Sequence, residues 1–310
     1  MAPVYPTLRV RPVKISHQGG PPPRIPLRTL TESEIRHRHM RKSRVLARIR
    51  SGQIARICSS GSFLPYLPRL AAQCGFDAVW VDAEHRPWTA REAQTMIAFH
   101  HLADVDCIWR PPTREKAQIY RLLEDGAMGL MIPQVNSADE AHALAQAVKF
   151  PPIGERGLDG SSIDGDFYSM PARDYTAHAN RETFLIVQIE TPAAVERMDE
   201  IAAVPGVDAV FMGPGDLSLR LGCSPDPLSP EMMDVQKRMA AVAKKHGKVW
   251  GRPVGTAGQA RAIADLGARL IAIGNDFLGI RDHFSSVQVQ LDRALGGSTE
   301  ANPATIQPTV

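Results

Sequence analysis

Two short runs of this chain each end an apolar stretch in a carboxylate: Phe184-Leu185-Ile186-Val187-Gln188-Ile189-Glu190 and Val210-Phe211-Met212-Gly213-Pro214-Gly215-Asp216. Neighbouring strands of one sheet lie ~4.8 Å apart, so carboxylates ending two of them can share a cation. With no Cys or His beside them, Glu190 and Asp216 suit Mg²⁺ or Mn²⁺, with Co²⁺ as an alternative, better than zinc. The same pair could instead cap the helices that follow near Pro192 and Leu217, or serve as the acid and nucleophile of a glycosidase. A third cluster, Asp82-Ala83-Glu84-His85, sets two acids beside the side chain best matched to proton transfer near neutral pH. A surface hydrogen-bonding role for His85 is the plain alternative. Arg110 closes Cys107-Ile108-Trp109-Arg110, where its planar fork fits a substrate carboxylate or an internal partner, Asp82 or Glu84.

These residues need elements to hold them. Eight apolar runs read as strands: 55–59, 78–82, 106–110, 129–133, 184–190, 209–213, 248–252 and 270–274. Helical patterns alternate with them at 90–102, 114–124, 138–148, 193–203, 231–246 and 257–266. Gly75, Gly126, Gly206, Gly247 and Gly267 fall before strands, where a helix end favours a left-handed residue. Continuous apolar strands alternating with helices predict a parallel sheet covered on both faces. Eight units close into a (β/α)8 TIM barrel, an α/β fold, though an open doubly wound sheet fits the same pattern. In a barrel Asp82, Glu84, His85, Arg110, Gln188, Glu190, Asp216, Arg252 and Asp276 converge on the rim where sites of this fold are built. Arg252 is therefore expected beside Glu190 and Asp216, where with Arg86 it would favour ligands bearing acidic or polyhydroxylated groups, unless Asp276 satisfies it internally.

Composition bounds the rest. The 310 residues are 44% hydrophobic and 22% charged, with a formal charge of +3, which gives no reason to expect nucleic acid or an anionic membrane as partner. No apolar run approaches the ~20 residues of a membrane span. Cys58, Cys74, Cys107 and Cys223 form no C-x-x-C, so free thiols in the cytoplasm are expected. No lysine falls at a strand C-terminal end, which argues against a Schiff-base mechanism. A P-loop, a dinucleotide fingerprint and a nucleophile elbow are all lacking. Residues 1–30, rich in proline and base, and 296–310 read as disordered, leaving one domain over 31–295. Thr31-Glu32-Ser33-Glu34 reads as a capping box opening a basic helix to about Arg50.

Five motifs together resemble the HpcH/HpaI aldolases: Asp82-Ala83-Glu84-His85, Arg110-Pro111, Pro151-Pro152-Ile153-Gly154-Glu155-Arg156-Gly157, Val187-Gln188-Ile189-Glu190-Thr191 and Gly213-Pro214-Gly215-Asp216-Leu217. They stand in that family's order over about Val45 to Leu291. The resemblance implies metal-dependent (class II) cleavage of a 4-hydroxy-2-oxo acid to pyruvate, or a close 2-oxo acid, and an aldehyde. It implies Glu190 and Asp216 as metal ligands, Gln188, Asp82 and the backbone of Gly213, Pro214 and Gly215 around the oxo acid, Arg110 polarising it, and His85 as base. Either Glu124 or Asp125 would orient His85. The stretch from Leu158 to Tyr168 departs from the family at the acceptor end of the pocket. A homo-oligomer is implied, a hexamer of dimers that exchange C-terminal helices, with the apolar residues between Phe277 and Leu295 supplying the helix. Oxaloacetate decarboxylation, enolate chemistry like that of the relative macrophomate synthase, and a non-catalytic oxo-acid-binding barrel remain alternatives.

Overall fold

The computed structural model describes residues 41–296. The proline-rich extension, the Thr31 capping box and the tail beyond Gly296 lie outside them. Eight parallel strands close in sequence order into a barrel: β1 Ala55–Ser60, β2 Ala78–Asp82, β3 Asp106–Arg110, β4 Gly129–Ile132, β5 Phe184–Ile189, β6 Ala209–Met212, β7 Val249–Pro253 and β8 Leu270–Asn275. The helices are α1 Arg44–Arg50, α2 Leu67–Gln73, α3 Ala90–Ala103, α4 Lys116–Glu124, α5 Ala138–Val148, α6 Ala172–Glu182, α7 Pro192–Ala203, α8 Pro214–Leu221, α9 Pro230–Lys245, α10 Ala257–Asp265 and α11 Asp276–Leu295. The closed sheet excludes the open doubly wound alternative.

Because side chains alternate along a strand, the apolar strands split into two sets. Ile57, Ala78, Ile108, Ile186, Phe211 and Leu270 fill the barrel, while Val79, Trp109, Val187, Val210, Trp250 and Ile271 pack outward on the helices. This parity decides which strand-end residues reach the site. Asp82, Arg110 and Gln188 share the phase of Ala78, Ile108 and Ile186 and point inward. On β7 the inward phase belongs to Val249, packed with the inner set, and so to Gly251 and Pro253, while Trp250 and Arg252 point outward.

The lower end is closed by α1, which packs Val45, Leu46 and Ile49 on the inner cluster. Its unpaired N-terminal N–H groups meet the buried Asp106, whose carboxylate accepts from the Ser43 hydroxyl at 2.6 Å and the Val45 N–H at 2.9 Å. Lys149 is buried near the start of β5, donating to the Thr183 carbonyl at 2.8 Å and pairing with Asp208 at 2.9 Å. The four cysteines are free. Among the described residues no helix is long and apolar enough to cross a membrane.

Candidate active site

At the C-terminal rim, Trp80, His85, Arg110, Gln188, Glu190, Met212, the turn Gly213 to Asp216, and Pro253 surround a cavity of about 240 Å³. Register builds its centre. Asp82 and Arg110 are partners across β2 and β3, and Arg110 Nη2 lies 2.9 Å from Asp82 Oδ1. Arg110 Nη1 reaches Glu84 Oε2 at 3.0 Å and Gln188 Oε1 at 3.4 Å, and the guanidinium stacks 4.7 Å above the Trp80 ring. The internal salt bridge is therefore present, and it fixes the guanidinium against the cavity wall.

Asp82, expected to contact substrate, does not line this cavity. Its Oδ1 accepts from Arg110 Nε at 3.0 Å and from the Glu84 N–H at 3.0 Å, so it clamps Arg110 and turns the loop after β2. Asp276 is used similarly, accepting from the Ser60 hydroxyl and the Ser62 N–H, both at 3.1 Å.

Glu190 is 4% exposed. One carboxylate oxygen accepts from the Gln134 N–H at 2.6 Å, from a residue held at φ 54°. Burial above all, then the Glu84 and Asp216 carboxylates, push its pKa up to about 7, against the Gln134 N–H and Arg110. Glu190 does not cap α7, because the Thr191 side chain accepts from the Ala194 N–H. Asp216 stands in the first turn of α8, where a helix favours negative charge, and pairs with Arg220 at 3.2 Å. Sequence reading starts that helix near Leu217; it starts at Pro214, whose fixed φ suits the first helical position.

The cavity thus brings the Glu190 and Asp216 carboxylates to one wall, Asp216 paired with Arg220 and Glu190 without an ion-pair partner of its own among the described residues. An all-oxygen donor set with a carboxyl proton held near neutrality fits a hard divalent cation. Among the described residues no group of three or more His, Cys, Asp or Glu comes together as ligands, so Glu190 and Asp216 would share the ion with substrate and water oxygens.

His85 is 62% exposed in its side chain, with Nε2 3.6 Å from Glu84 Oε2. It also lines a second, larger cavity, together with Asp125. Asp125 is buried, accepts from Gln94 Nε2 at 2.9 Å, and has its pKa raised by burial. Glu124 lies in the electrostatic surroundings of Arg156 and Asp164 and lines neither cavity. Only Asp125 shares a cavity with His85.

One further expectation is corrected. Arg252 is not at the rim: fully buried on the outward face of β7, it donates to Gln236 Oε1 at 2.6 Å, the Pro225 carbonyl at 2.8 Å and the Pro253 carbonyl at 3.0 Å. Asp276 is not its partner. The stretch from Leu158 to Tyr168 folds against α6, where Arg156 Nη2 and the Tyr175 hydroxyl each lie 2.6 Å from Asp164 Oδ2. Arg86 packs over the Phe277 ring at 4.9 Å. Two site features escaped the sequence reading: the Gln134 N–H, a backbone donor with no residue-type signature, and Trp80, which reads as strand core.

A carboxylate pair and a clamped Arg stand together at the C-terminal rim of a (β/α)8 barrel, where sites of this fold are built. Residues 58–281 match the model of the HpcH/HpaI aldolase/citrate lyase family, and the chain belongs to that family. It is 34% identical over 226 residues to a hydroxypyruvate/pyruvate aldolase of Chromohalobacter salexigens, covering 72% of this chain and 88% of that one. It is 32% identical over 234 residues to a 2-keto-3-deoxy-L-rhamnonate aldolase of Shigella sonnei, covering 74% and 85%. The crystal structure of an HpcH/HpaI aldolase from Desulfitobacterium hafniense superimposes with a TM-score of 0.76 at 30% identity, covering 83% of this chain and 98% of that one.

Proposed function

We propose that this chain is a class II, divalent-metal-dependent aldolase that cleaves a 4-hydroxy-2-oxo acid to pyruvate, or a close 2-oxo acid, and an aldehyde, and runs the reverse condensation. The observation that carries this reading is the buried Glu190 carboxyl, raised to about 7 beside Asp216 and Glu84 and facing the clamped Arg110. Glu190 and Asp216 would hold Mg²⁺, Mn²⁺ or Co²⁺. A bound cation there supplies Lewis acidity that favours the enolate form of the oxo acid. Arg110 adds a fixed positive charge at the same oxygen, pre-aimed because Asp82, Glu84 and Gln188 already hold the guanidinium.

Gln188 and the backbone of Gly213, Pro214 and Gly215 orient the oxo acid in the 240 Å³ cavity. His85 takes the hydroxyl proton during cleavage and returns it during condensation. The orienting role goes to Asp125 rather than Glu124, a reading supported by its sharing the His85 cavity. We further propose that the protein works in the cytoplasm as a homo-oligomer, a hexamer of dimers, with α11 docking on a second copy. No residue of this 20-residue helix is buried in the single chain, and Phe277, Ile280, Phe284, Val287, Leu291 and Leu295 recur at helical spacing along it.

The direct assay is pyruvate release from a 4-hydroxy-2-oxo acid. Chelation abolishes it and Mn²⁺ or Mg²⁺ restores it; undiminished release by verified metal-free protein would refute the reading.

A further inference from the structure

A second cavity of about 610 Å³ opens beside the oxo-acid site, between the loop after β2 and α4. It falls within the ~300–1,000 Å³ typical of small-molecule sites. Trp88, Trp109, Pro112 and Leu122 give it apolar walls, and Arg121 and Asp125 give it polar groups. His85 lines both this cavity and the smaller one. His85 is the one lining residue the two cavities share.

The aromatic wall is preformed. The Trp88 indole N–H donates to the Asp82 carbonyl at 2.9 Å, the residue that also clamps Arg110. Its ring meets Trp109 edge to face at 5.2 Å and Phe63 at 6.2 Å. A wall ordered before binding costs a ligand little further ordering, and indole edges and faces offer T-shaped and offset contacts to a flat ring. Arg121 is exposed, and its side chain makes no hydrogen bond or ion pair among the described residues, leaving its guanidinium to meet polar substituents of a ligand.

We infer that this cavity is the acceptor subsite, and that it takes aldehydes carrying an aromatic ring. The inference rests on the aldolase reading above and adds the class of the second substrate. In the condensation, a methyl proton leaves pyruvate and C3 of the enolate forms a bond to the aldehyde carbon. The carbonyl π pair passes to the aldehyde oxygen, which takes up a proton to become the 4-hydroxyl. With the aldehyde carbon beside His85, its substituent extends between Trp88 and Leu122.

The test compares benzaldehyde and phenylacetaldehyde with glycolaldehyde, each with pyruvate and the metal-loaded enzyme, with products read by mass spectrometry. Deuterium exchange into the pyruvate methyl group, without aldehyde, runs alongside. The ring aldehydes should show kcat/KM at or above that of glycolaldehyde, and benzyl alcohol should inhibit competitively against the aldehyde. Leu122→Trp, checked for native melting behaviour, should lower the ring-to-glycolaldehyde ratio by about tenfold or more. Should the variant fail to fold, the wild-type ratio and the inhibition pattern decide. Methyl exchange and glycolaldehyde turnover without ring-aldehyde turnover would overturn the subsite while leaving the aldolase reading intact. An equal loss on both aldehydes in folded Leu122→Trp would overturn it too. Absence of methyl exchange would overturn the aldolase reading, and this inference with it.

Discussion

Gly213 faces Glu190 directly across β5 and β6. Ile189 pairs with Met212, the Gly213 N–H donates to the Ile189 carbonyl at 3.1 Å, and the next positions along each strand bring the Glu190 side chain over the Gly213 Cα. A Cβ on Gly213 would overlap the carboxylate and lie 2.8 Å from the Glu190 Cβ. The glycine is required by this close approach, at an ordinary φ of −95°. Gly213→Ala is expected to displace the carboxylate while the fold persists, lowering divalent-metal affinity about 10–100-fold. Calorimetric titration with Mn²⁺ checks this, and wild-type affinity in the variant would show that the carboxylate tolerates the methyl group.

Arg252 holds structure rather than substrate. Removing it leaves Gln236 Oε1 and the Pro225 carbonyl without their donor in a buried layer. Arg252→Ala should cost about 2–4 kcal/mol of unfolding free energy, and the activity ratio between acidic and neutral aldehydes should stay as in the wild type. Denaturant unfolding and paired kinetics separate the two effects; a selective loss on acidic aldehydes would return Arg252 to the site.

His100 sets a pH dependence of stability remote from the chemistry. Burial lowers its pKa from 6.5 to about 4, against the bond to the Met96 carbonyl. Below pH 6.5 the unfolded chain takes up a proton that the folded chain refuses. Its contribution is therefore full above pH 6.5 and is lost as pH falls toward 4, amounting to on the order of 3 kcal/mol. His100→Leu should reduce the difference in urea midpoint between pH 7 and pH 5 relative to wild type. An unchanged difference would show that the buried imidazole is not the titrating group.

The exposed apolar stripe of α11 predicts self-association. Light scattering at micromolar concentration should give a multiple of the chain mass, and Phe284→Asp should lower it. A monomer mass for the wild type would contradict docking of α11 on a second copy.

Barrel and strand ends were legible because apolar strands, glycine punctuation and polar residues closing each strand repeat along the chain. Strand-end Arg110 and Gln188 reach the cavity because they share the inward phase, while Asp82 shares it but turns to Arg110 rather than to the cavity. Arg252 was misplaced because its strand end was read without that phase; counting from Val249 places it outward. Gln134 was invisible because it contributes a backbone N–H, and Asp125 separates from Glu124 only once the helix end of α4 is built. Helices α2 and α6 lacked a signal of their own: one is only seven residues long with Pro68 in its first turn, and the other is polar along most of its length.

The most direct measurement of the central claim is metal-dependent exchange of the pyruvate methyl protons in deuterium oxide, followed by NMR. It isolates enolate formation at Arg110, Glu190 and Asp216 from every question about the aldehyde. Exchange should proceed with Mg²⁺, cease on chelation, resume when the ion returns, and fall by about two orders of magnitude or more in Glu190→Gln. Exchange at the wild-type rate in verified metal-free enzyme, or in folded Glu190→Gln, would contradict the assignment of this cavity as a metal-assisted enolate site.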